Sequence, residues 1–109
     1  MPTVPKVLGQ SRPGATTLTA LYTVPALTNT TVSSVTVCNT SAIATTFRIS
    51  VAPAGAGDSP VQYLFYDVAI SGNDSFVATV GLTLATTDVI RVYATLATLN
   101  FHAYGIEES

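Results

Sequence analysis

From Thr16 onward, apolar and polar residues alternate in short runs separated by turn residues, the pattern of strands half-buried in a sheet. The clearest run is Thr46-Phe47-Arg48-Ile49-Ser50-Val51. Side chains alternate across a strand, so Phe47, Ile49 and Val51 share a core face, while Thr46, Arg48 and Ser50 share an outer one. Before it, Val35 and Val37 alternate with Ser34, Thr36 and Cys38. The 61–70 segment, VQYLFYDVAI, is apolar on both faces, which predicts a strand buried centrally or covered by a neighbouring subunit. Ser71-Gly72-Asn73-Asp74 reads as a turn, after which Phe76, Ala78, Val80 and Leu82 alternate. Leucines recur over 82–99, but Thr86, Thr87, Val89, Ile90, Val92 and Thr95 are β-branched and favour strands over a helix.

The predicted strands fall at about 16–24, 31–39, 45–52, 61–70, 75–82, 88–95 and 98–106. Such spacing specifies an all-β domain: a single β-sandwich or jelly-roll-like barrel of about seven to eight antiparallel strands. Ahead of it, residues 1–15 carry Pro2, Pro5, Pro13, Gly9 and Gly14 and read as an extended N-terminal arm. An ordered arm could add an eighth strand. The division is therefore 1–15 arm and 16–109 sandwich, with 52–60 a surface loop by composition.

Composition changes this picture in one respect. Apolar residues make up 48% of the chain, but charged ones only 9%, against about a quarter in an ordinary soluble domain. Eighteen threonines, with many Ser and Ala, take their place. A neutral hydroxyl surface can be buried against a neighbour without stranding charge, so the chain suits a homo-oligomer. Lys6, Arg12, Arg48 and Arg91 are scattered along the chain, which argues against a nucleic-acid partner. No apolar run has the length of a membrane-spanning helix, and the first residues lack the apolar core of a signal peptide. With Cys38 the single cysteine, no intrachain disulfide can form, and synthesis in a reducing cytoplasm is expected.

Candidate chemistry is sparse. His102, the one histidine, alternates with Asn100 and Tyr104 on a polar face, and no nucleophile motif accompanies it. We expect no enzymatic activity, no cofactor and no metal: one His and one Cys cannot hold zinc, and Asp58, Asp67, Asp74 and Asp88 lack calcium-loop spacing. Asp74 and Asp88 stand where an Asp bonds local backbone, and Cys38 is expected as a small buried side chain. Asn29-Thr30-Thr31, Asn39-Thr40-Ser41 and Asn73-Asp74-Ser75 match the glycosylation pattern, as chance allows in so Thr-rich a chain. Tyrosines can stack on sugars or fill interface positions with a wet hydroxyl. The interface candidates are Val4, Val7 and Leu8 of the arm, with Arg48, Tyr63, Tyr66 and His102.

The runs KVLGQSRPGATTLTALYTVP (6–25), VTVCNTSAIATTFRISVAPAG (35–55), ISGNDSF and LTLATTDVIRVYA (82–94) resemble a set of short virion proteins of tailed bacteriophages. The resemblance spans nearly the whole chain and carries over no catalytic or binding residue. It implies a structural component of a phage particle, made in the host cytoplasm and located in the virion. The placement it favours is a capsid decoration, or cement, protein: a small β-domain, often a trimer, on the major capsid protein's shell with an arm laid over the capsomer. The alternatives are a tail, collar or baseplate ring or adaptor and, from another class, a carbohydrate-binding module on a receptor-binding fibre.

Overall fold

The computed structural model describes residues 3–109, and Met1 and Pro2 of the expected arm lie outside the described residues. Nine strands follow in order: β1 Thr3–Ser11, β2 Thr19–Thr23, β3 Asn29–Asn39, β4 Thr45–Ala52, β5 Tyr63–Ile70, β6 Ser75–Ala78, β7 Leu82–Leu84, β8 Val89–Ala94 and β9 Leu99–Glu108. The pairing is nested. β4 pairs β5 around the 53–62 loop, β3 pairs β6 and β7, β2 pairs β8, and β1 pairs β9, all antiparallel. The chain is thus one long hairpin that wraps so that β9 also pairs β3 and β8 also pairs β4. Two sheets result, one ordered β1-β9-β3-β6 with β7 also on β3, the other β2-β8-β4-β5. With β6 and β7 taken as one interrupted strand, this is the eight-stranded jelly roll.

Alternation puts the core between the sheets. Phe47, Ile49, Ile90, Val92, Val35, Val37, Leu99, Phe101 and Ala103 are at most 1% exposed. All four phenylalanines meet there: the Phe47 ring lies 5.3 Å from Phe76, 6.2 Å from Phe101 and 6.5 Å from Phe65. Tilted and edge contacts of this kind add to the area that the rings bury.

Three expectations need correction. The 61–70 segment is not central: β5 is an edge strand, with Leu64 and Tyr66 exposed in the single chain. Its apolar look on both faces comes from two register irregularities against β4, which break strict alternation. The 75–82 strand is broken between Ala78 and Leu82, where Gly81 takes positive φ. Cys38 is exposed on the outer side of β3, not buried. Ser50 does face outward, yet it is fully buried, because its cross-strand partners Arg91 and Tyr63 flank it on both sides.

The segment read as an arm is, from Thr3 to Ser11, the edge strand β1 of its own sheet. Pro5 fits there because an edge strand leaves one row of backbone groups unpaired. Leu8, displaced by a bulge between Val7 and Gly9, packs on the core, and Gly9 passes so close to the Leu21 carbonyl that a Cβ would collide with it.

Candidate functional site

The outer face of the β2-β8-β4-β5 sheet holds the densest group of chemically distinctive side chains. Arg48 pairs across the strands with Tyr93, and its guanidinium lies 4.3 Å from the Tyr93 ring centre and 4.2 Å from that of Tyr66. Asp67 accepts from Arg48 Nε at 2.6 Å and Nη2 at 3.3 Å. The Asp67 hydrogen bond raises the Arg48 pKa further above its already high ordinary value, so this side chain is a fixed cation.

The bulges of β5 build the rest. Tyr63 and Tyr66 are three residues apart and in a regular strand would point to opposite faces. The extra residue at Leu64 brings both rings to the outer face, and a second irregularity at Asp67, whose φ is +52°, sets its carboxylate beside Arg48. They meet edge to face, 5.1 Å between centres. The Tyr63 hydroxyl donates to Asp58 Oδ2 at 3.1 Å; burial first, then that bond, raises the Tyr63 pKa. Arg48, Asp58, Pro60, Tyr63 and Tyr66 line an open depression of about 440 Å³. The 53–62 loop carrying Asp58 is pinned. Asp88 accepts from the Ala54 amide at 2.9 Å, and Arg91 Nη1 donates to the Ala56 carbonyl at 2.8 Å.

The opposite outer face, on the β1-β9-β3-β6 sheet, has a different character. Register places Val7, Gln10, Asn100, His102, Tyr104, Ile106, Thr31, Ser34, Thr36, Cys38, Ser75 and Val77 on it. Between Arg12 at one end and Glu108 at the other, these strands present no Lys, Arg, Asp or Glu on this side. Gln10 Nε2 and the Tyr104 hydroxyl reach His102 Nδ1 at 3.3 and 3.1 Å. Arg12 donates to Asn100 and Thr40 at 2.8 and 3.0 Å. Val7 and Val77 are exposed, and Ile106 is at the margin.

Of the seven interface candidates, the structure brings Arg48, Tyr63 and Tyr66 into one cluster and puts Val7 and His102 on the neutral face. Val4 is exposed on the inward side of β1 beyond the core, and Leu8 packs inward. Tyr93, Asp58 and Asp67 were missed. Tyr93 could have been found from the outward alternation of Arg91 and Tyr93, but its pairing with Arg48 depends on strand order. No three of His, Cys, Asp and Glu converge among the described residues, and no helix among them is long and apolar enough to cross a membrane.

Comparison with protein-family models, curated proteins and solved structures gave no match.

Proposed function

We propose that this chain is a non-enzymatic structural subunit that assembles with copies of itself through the neutral outer face, as a capsid decoration protein of a tailed-phage particle. The observation that carries the assembly reading is the uncharged outer face of the β1-β9-β3-β6 sheet, with Val7, Val77 and Cys38 exposed on it. Copies of one surface meeting about a symmetry axis bring like residues together, and a face without ionised groups meets itself without repulsion or desolvated charge. A jelly roll serves capsid proteins, lectins and enzymes alike, so the fold permits the reading without requiring it. The virion assignment rests on the sequence resemblance.

Light scattering after size exclusion tests the assembly. We expect an oligomer whose mass is the same at low and high salt, since few ion pairs are available to screen. Thr36 lies at the centre of the face, between His102 and Val77. Thr36→Lys is expected to give a folded monomer. A wild-type chain that stays monomeric at high concentration overturns the assembly reading. Labelling of purified particles tests the placement: antibody on the capsid supports decoration, and antibody confined to the tail or collar replaces it with a ring or adaptor role.

A further inference from the structure

We infer that the depression beside Arg48 is a binding site for a neutral saccharide, independent of the assembly face on the other sheet. Three observations carry it. First, the backbone leaves the regular period to make it: the extra residue at Leu64 puts Tyr63 and Tyr66 on one face, and a bulge at Asp67, which takes a left-handed conformation, sets that carboxylate beside Arg48. Bulges that re-aim side chains concentrate at functional sites; this one also lets Phe65 and Val68, three residues apart, both pack on the core, while Tyr66 between them is 59% exposed.

Second, the side chains are held before any ligand arrives. Tyr66 is fixed on one side by Arg48 and along its edge by Tyr63, and Asp58 is held by the Tyr63 hydroxyl on a loop pinned by Asp88 and Arg91. Such preorganisation lowers the entropy lost on binding.

Third, the charges select the ligand class. Arg48 is engaged by Asp67 and covered by two rings, and Asp58 adds a carboxylate nearby, so an anion finds no free cation here. A second cation on Tyr66 would share the ring with a guanidinium 4.2 Å from its centre. What is left is a partly exposed ring surface beside Pro60, a phenol, and the second oxygen of Asp58. These fit a pyranose: its C–H face lies on the ring, and a pair of its hydroxyls donates to the carboxylate. The volume, about 440 Å³, lies within the usual range for small-ligand sites.

Saturation-transfer NMR on the wild-type protein tests this with glucose, galactose, mannose, N-acetylglucosamine and N-acetylgalactosamine as probes. Sialic acid and choline serve as the anionic and cationic comparisons. We expect transfer to at least one neutral sugar, strongest at its C–H face, with affinity lowered tenfold or more by Tyr66→Ala and by Asp58→Asn. Both residues are exposed, so both variants are expected to fold, which their dichroism spectra check. Thr36→Lys, on the opposite sheet, is expected to bind sugar as the wild type does. The inference is overturned if none of the five neutral sugars binds, if choline or sialic acid binds in their place, or if Tyr66→Ala binds sugar unchanged.

Discussion

Phe47 and Arg48 stand side by side in β4, and their contrasting fates show how far one residue of register matters. Phe47 is fully buried against three other phenylalanines, so Phe47→Ala is expected to cost about 3–5 kcal/mol, from lost transfer energy plus the cavity. Arg48→Ala is expected to cost about 1–2 kcal/mol, because two exposed ring contacts and one exposed ion pair each contribute a fraction of that. That exceeds what a solvated Arg would cost, and the excess lies in the stacking on Tyr66 and Tyr93. Chemical denaturation of both variants checks the ranking; a slip of one residue in register would reverse it. Asn39 is the other decisive single residue. It is 1% exposed, donates to the carbonyls of Ile43 and Ser71, and accepts from the Ser41 amide and the Thr98 hydroxyl. It ties three loops together at one end of the sandwich. A glycan on this side chain would break those bonds, so the Asn39-Thr40-Ser41 match is closed in the folded protein. Asn39→Leu is expected to destabilise by about 2 kcal/mol or more, since it strands buried partners, and a denaturant midpoint measures it.

Among the elements, β4 was legible to the residue because both its neighbours pair with it and its alternation is unbroken over Phe47, Arg48 and Ile49. The face assignments of β9 were legible for the same reason. Leu99, Phe101 and Ala103 point inward and His102 outward, as the period of two requires. Legibility failed where the backbone leaves that period. The bulges of β5 hid the Tyr63–Tyr66 corner, and with it the candidate site, because nothing in YLFYD marks which residue is extra. β1 was obscured differently: its prolines suggested an arm, and its strand character comes from pairing with a segment some hundred residues away in sequence. Deleting residues 1–14 is therefore expected to lower the melting temperature clearly, since it uncovers β9 and removes Leu8 from the core. A truncated chain with the wild-type melting temperature would restore the arm reading.

Across the whole molecule, one end of the sandwich is joined by a polar cluster that makes its stability depend on pH. The Tyr22 hydroxyl donates to Glu107 at 2.5 Å, and Lys6 lies 3.2 Å from the same carboxylate, so first and last strands meet β2 there. The Tyr22 bond, and after it Lys6, lower the Glu107 pKa from its ordinary 4.5. Stability from this group is present above pH 4.5 and is lost as pH falls through the lowered folded value. Tyr22 behaves oppositely: burial, then the Glu107 bond, push it from 10.0 up to about 12, so stability falls as pH rises across that interval. Melting temperatures across pH are expected to drop at both limits, and Glu107→Gln is expected to flatten the acid limb.

The nested pairing also orders events in time. Synthesis delivers β1 and β3 early, yet the strand that lies between them, β9, is the last of the nine in chain order. Until residues 99–108 leave the ribosome, β1 has no partner strand in its sheet, and the neutral outer face does not exist as a surface. A nascent chain that has not yet released β9 therefore cannot present that face. Formation of that face waits on the synthesis of β9.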